Sequence, residues 1–222
     1  MPLPMTNIIE LAHAVALLDS VASPAAVNRA LQSADLNRNI LRQVQGFVPY
    51  RLEAKVVEHV ARTIGHQQLG SFIAPQFKYE AYDAYASYVL AAHDLGNALR
   101  RGRKAFSFIQ TGSELVLLER NDHLLVGRLL DLNSMIGNRH LDDASIFIII
   151  QVIRHFLGPS WNPPLIEIPD QNAASAAYLE EMASAPVILG AKFPTVAVNL
   201  SDLGSLNPGM PTPEQIISFA EL

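Results

Sequence analysis

The stretch Asp142–Pro169, DDASIFIIIQVIRHFLGPSWNPPLIEIP, sets the chain's most apolar segment beside its sharpest punctuation. Asp142 and Asp143 suit a helix start, where free backbone N–H groups and the helix dipole favour negative charge. Ile146 to Ile150 is apolar on every side, so a helix there has no face for water and must be covered by the rest of the domain. Gly158-Pro159 closes that helix, Pro163-Pro164 forbids its return, and Leu165–Ile168 is short and branched enough for a strand. A central apolar helix that becomes a strand is the unit that the remaining residues must wrap.

The chain has 222 residues, half of them hydrophobic and 17% charged, enough for one large core or two modest ones. Its longest apolar run is far short of the roughly 18 residues of a membrane span, and MPLPMTNIIE puts no basic flank before its apolar part. The expectation is a cytoplasmic chain without a membrane partner. With no cysteine, disulfides, thiol chemistry and sulfur-ligated metals are excluded. A net charge of -5 argues against nucleic-acid binding by these residues, because phosphate contacts require clustered Lys and Arg.

Upstream of the central unit, residues 7–22 open on Asn7-x-x-Glu10, a capping-box-like start, and place Ile8, Leu11, Val15 and Leu18 on one helical face. Ser23-Pro24 opens a second helix, and 35–46 reads as a weaker helical piece. Pro49 starts a strong helix that stops at Gly65, making the first 70 residues all helical. Two further helices over 79–111 divide at Asp94. The period then changes: 114–119 and 124–130 flank Asn121-Asp122, a tight hairpin turn. Leu115 and Leu117 point to one face of that hairpin and Val116 and Leu118 to the other, so both faces need cover. The central helix is expected on one face and the N-terminal helices on the other. After the strand at 165–168, 173–184 is an amphipathic helix, and 187–189 with 195–200 reads as a closing strand pair.

The fold class expected is therefore α+β. An N-terminal helical part, 1–111, precedes an α+β part, 112–206, whose small, mostly antiparallel sheet in the order ββαβαββ packs on the central helix. Residues 207–222 read as a linker, with Thr212-Pro213-Glu214-Gln215 as the capped start of another helix.

Chemistry-bearing residues are sparse. The seven histidines are dispersed and form no metal-ligand spacing, so no metal and no cofactor is expected. Ser113, Ser145 and Ser160 lack a nucleophile-elbow setting, and adjacent Asp142 and Asp143 cannot face one bond as acid and base. No catalytic residue emerges. Arg100-Arg101-x-Arg103-Lys104 reads as a solvated helix face. Tyr79, Tyr82, Tyr85 and Tyr88 crowd one segment, where most serve the core and one or two line a pocket. Arg128, alone among apolar strand residues, must be paired, snorkelled or at a pocket. Trp161 in the GPSW turn reads first as a plug on the core and second as a ligand platform.

In order and spacing, the segments Val27–Leu36, Pro49–Gly65, Gln68–Gly70, His93–Leu99, Leu157-Gly158-Pro159-x-Trp161-x-Pro163, Ile166–Pro169 and Leu189-Gly190-Ala191-x-Phe193 resemble the N-terminal arabinose-binding-type domain of AraC-family transcriptional regulators. The resemblance spans residues 25–208, with His93 standing where the family more often has proline. It implies a bacterial domain that senses a small-molecule effector and forms a homodimer, with DNA bound only through a further, C-terminal domain. An effector site between helical layer and sheet is expected to use Tyr85, Arg128 and Trp161, with the guanidinium receiving a carboxylate. The competing classes are a small hydrolase or transferase assembled only in three dimensions, and a dimerisation module without a ligand.

Overall fold

A computed structural model describes residues 3–43, 46–130, 135–212 and 216–222. The N-terminal part carries helices α1 (Ile8–Val21), α2 (Pro24–Ser33), α3 (Tyr50–Ile64), α4 (Leu69–Ile73), α5 (Ala84–Leu90) and α6 (Leu95–Ala105). Their ends follow local chemistry. Asn7, Ser23 and Asp94 accept hydrogen bonds from the first-turn amides of α1, α2 and α6, and Gly65 ends α3 in the left-handed conformation.

The first 70 residues are not all helical. Strands β1 (Met5–Asn7) and β2 (Phe47–Pro49) pair antiparallel, and β3 (Gln110–Thr111) pairs on the other edge of β1. Each is too short for a period-2 pattern, so this small sheet is set by where the helices bring the segments between them together. Over 35–46 the described residues form only a 3-10 turn, Ile40–Arg42.

The larger sheet comes from β4 (Ser113–Arg120), β5 (His123–Leu130), β6 (Ile166–Ile168), β7 (Val187–Leu189) and β8 (Thr195–Asn199), with helix α7 (Asn138–Leu157) between β5 and β6 and α8 (Ala173–Ala183) between β6 and β7. The chain order is the expected ββαβαββ. The spatial order is β4-β5-β8-β6-β7, antiparallel except for the parallel pair β6 and β7. The last two strands are therefore not a closing pair: β8 inserts between β5 and β6, leaving β7 on the edge.

Two expectations about the central unit fail. Helix α7 begins at Asn138, after Gly137 at φ 81°, so Asp142 and Asp143 lie in its second turn, both buried. Their carboxylates serve tertiary partners, not the helix start. The helical layer also does not cover the second face of the hairpin. Leu115, Leu117, Leu124 and Val126 pack into one core with α5, α6 and α7. Val116 and Leu118 face the opposite way, and Leu118 is 44% exposed. Helical layer and central helix thus share one face of the sheet.

Two apolar clusters result. One joins α5, α6, α7, α8 and the sheet, and the other joins α1, α2 and α3 with α4, Leu130 and Leu141. The contact of α4 with α7 needs Gly70, where a Cβ would stand 2.3 Å from the carbonyl oxygen of His140. The segment expected as a linker begins tethered: Asn207 donates to the carbonyls of Leu90 and Ala92 and accepts from His155. Further on, Phe219 packs on Tyr88 and Phe108 under the ammonium of Lys104. The helix start expected at 212–215 falls largely outside the described residues.

Candidate functional site

A cavity of about 100 Å³ opens where the two clusters meet, bounded by α1, α3, α5, α6, α7 and the inner face of the hairpin. Most of its wall is apolar, with Leu99 and Ile109 on one side and Ile148 and Ile149 of α7 on another. Its volume is of the order of the ~150 Å³ apolar cavity that takes up benzene in an engineered protein.

Aromatic residues form a second part of the wall. Phe77, Tyr79, Tyr82 and Tyr85 line the cavity, with Phe77–Tyr82, Tyr79–Tyr82 and Tyr82–Tyr85 ring centroids 5.2, 5.6 and 5.9 Å apart. The Tyr85 hydroxyl donates to the carbonyl of Gly102 at 3.2 Å. Burial pushes all three tyrosines above the ordinary phenol range, so they remain neutral donors.

The polar part holds two carboxyls that the sequence analysis did not assign to the site. Glu10 sits on the face of α1 that also presents Ala14 and Leu17 to the cavity, and Glu53 sits on the apolar stripe of α3. Glu10 accepts from Thr6 at 2.7 Å and from Gln110 at 2.9 and 3.0 Å, so it does not close the expected capping box. Glu53 is 2% exposed and its Oε2 has no hydrogen-bond partner. Burial raises Glu10, against its hydrogen bonds and the charge of Arg128. Burial and then the charge of Glu10 hold Glu53 well above the usual carboxylate range. Glu10 accepts three hydrogen bonds from two donors, Thr6 and Gln110, which favour its charged form, while Glu53, short of donors, is the one of the pair that more readily holds a proton.

Arg128 lines the cavity at 3% exposure, but its charge is already engaged. Nη2 donates to Asp142 at 2.8 Å, and the guanidinium carbon lies 5.0 Å from the ring centroid of Tyr50. Its Nε and the Tyr50 hydroxyl have no partner. With Asp142 and two glutamates close by, the unopposed cation behind the carboxylate-ligand expectation is missing.

Of the residues expected at the site, the structure brings Tyr85 and Arg128 together on one cavity and leaves Trp161 out of it. Trp161 packs against the core near the end of α7, its carbonyl accepting from Arg154 at 2.7 Å. The missed carboxyls had a readable signal: an acid on the apolar stripe of an amphipathic helix, as at Glu53 one turn before Val56 and Val57.

The other polar residues on the wall are occupied. The Ser145 hydroxyl donates to the carbonyl of Asp142. His140 accepts at Nδ1 from the amide of Gly70, so Nε2 carries the hydrogen and donates to Glu58 at 3.1 Å. Burial and Arg139 lower His140 to about 4, so at pH 7 a neutral imidazole donates to the ionised Glu58 and the contact is a hydrogen bond, not an ion pair. Among the described residues, no group of three or more His, Asp or Glu could hold a metal ion.

A largely apolar cavity with a few placed polar groups, enclosed between helices and a sheet, is the construction of a small-molecule-binding domain. The family model described as the arabinose-binding domain of AraC transcription regulators, N-terminal, matches residues 25–205, and the chain belongs to that family. It is a ligand-sensing domain of the AraC type. No curated protein matches the chain. Among solved structures it is similar to the transcriptional regulator CdpR from Pseudomonas aeruginosa, with a TM-score of 0.58 at 16% identity. That match covers 83% of this chain and 56% of the CdpR chain, so this chain spans little more than half the length of that regulator. No helix among the described residues is long and apolar enough to cross a membrane.

Proposed function

We propose that the cavity is the effector site, that the domain is not catalytic, and that effector binding changes how two copies of the domain are arranged. The observation carrying this reading is the cavity's position between the N-terminal cluster and the cluster built on the sheet. A ligand there touches both clusters and can favour one relative arrangement over another, as a population shift requires. Tyr85 and Arg128 are its proposed contacts, with Glu10 and Glu53 added. Homodimerisation, and DNA contact through a further domain, follow the family role. The exposed apolar residues Leu118 and Ile188 on the outer face of the sheet are available to a second copy.

The test is a cavity-filling substitution on α6. At Gly102 a Cβ meets nothing nearer than 3.5 Å, so the backbone accepts a side chain whose outer atoms then occupy the cavity. Gly102→Leu should abolish effector-dependent transcription in the intact regulator while leaving the domain folded by circular dichroism. An unchanged response in a folded variant refutes the site.

A further inference from the structure

The wall of the cavity carries an imbalance of charge and an unusual density of rings. Glu10 and Glu53 are both buried in it, and the cation beside them, Arg128, is neutralised by Asp142. Glu53 Oε2 is an acceptor with no donor. Four aromatic side chains, Phe77, Tyr79, Tyr82 and Tyr85, complete the same wall with neighbouring centroids 5–6 Å apart. Aromatic faces attract cations, and the attraction strengthens where water is excluded. A buried cation still needs an opposite charge, because an unpaired one would not leave water. A buried carboxyl with a free oxygen beside an aromatic wall meets both conditions.

We propose that the cavity selects a small organic cation, an amine or alkylammonium about one ring in size, with its charge against Glu53 and its carbon skeleton among the aromatic and aliphatic walls. An anion is disfavoured on the same ground: it would meet the charge of Glu10 and an arginine already paired with Asp142. The size limit follows from the cavity volume, which is comparable with that of a site for one benzene ring. On binding, the proton that Glu53 holds leaves to solvent and N–H of the ammonium donates to Glu53 Oε2, so charge balances as one buried ion pair.

This inference rests on the cavity being the effector site, and the experiment separates the two. Cyclopentylamine, cyclopentanol and cyclopentanecarboxylate share one ring and present a cation, a neutral hydroxyl and an anion at pH 7. Isothermal titration of the 222-residue chain with each should show the amine binding at least about tenfold more tightly than the alcohol, and the carboxylate weakest, because the added interactions are charge-assisted. Glu53→Gln should reduce amine affinity to that of the alcohol and leave the alcohol within about twofold. Should that variant fail to fold, Tyr82→Leu replaces it and should weaken the amine more than the alcohol. Binding led by the alcohol or the carboxylate overturns the cation proposal but leaves the effector site standing. Amine binding unaffected by either variant also overturns it. No binding by any of the three overturns both.

Discussion

Replacing Arg128 by methionine tests the most consequential buried contact of the domain. Arg128 and Asp142 are 3% and 7% exposed and joined at 2.8 Å, so the substitution leaves a carboxylate in the interior with only the Asn138 amide, at 2.7 Å, as donor. Breaking a buried pair from one side costs about 3–5 kcal/mol. At about 2–4 °C per kcal/mol for a domain of this size, the melting temperature should fall by about 6–20 °C. The loss should depend on pH. Burial already raises Asp142, and Arg128 is what opposes that rise, so in Arg128→Met the carboxyl goes higher still. A carboxyl raised on folding holds its proton in the native state at pH values where the unfolded chain has released it. Stability then falls as pH rises from the unfolded value towards the native one, by up to about 1.4 kcal/mol per pH unit. Urea unfolding at pH 5 and pH 8 should therefore show the larger loss at pH 8. Arg128→Met/Asp142→Asn, with no charge stranded, should recover about 2 kcal/mol of the loss. A loss below about 1 kcal/mol, or one independent of pH with no recovery in the double variant, would refute the pairing as the reason this arginine is tolerated in the core.

Other expectations follow from single sites. Asp143, 5% exposed and bonded to Ser71 at 2.6 Å, is raised by burial to about 7. Native-state stability should decline as pH rises from about 4 to 7, and Asp143→Asn should flatten that slope in denaturation series across the range. Gly70→Ala puts a Cβ 2.3 Å from the His140 carbonyl oxygen and must push α4 off α7. Its thermal midpoint should drop by several degrees, and an unchanged midpoint would show that the two helices do not pack so closely. The chain's charge of -5 predicts no tight operator binding by residues 1–222 at physiological salt, which a gel-shift assay decides. Light scattering at tens of micromolar should give a dimer mass, and a monomer would count against the family role here.

What the sequence determined by itself is what local chemistry controls. Asn7, Ser23 and Asp94 cap their helices because a short polar side chain reaches the first-turn amides whatever surrounds it. The Asn121-Asp122 turn and the apolar strands flanking it specify the hairpin, and the apolar core of α7 requires burial in any fold. The order ββαβαββ was legible for the same reason. Spatial order was not, because β7 and β8 are both short apolar strands and nothing local says that β8 must insert between β5 and β6. Strands β1 to β3 were hidden as well, each two or three residues long and created where segments distant in sequence meet. Asp142 and Asp143 show the limit most directly. A carboxylate pair before an apolar run has the composition of a helix start, yet four upstream residues join the helix and turn both acids towards Arg128 and Ser71. Tyr85 and Arg128 could be nominated separately, but that they share one cavity with Glu10 and Glu53 depends on four elements distant in sequence. Charge balance in that cavity is a sum over those elements, which only tertiary structure performs.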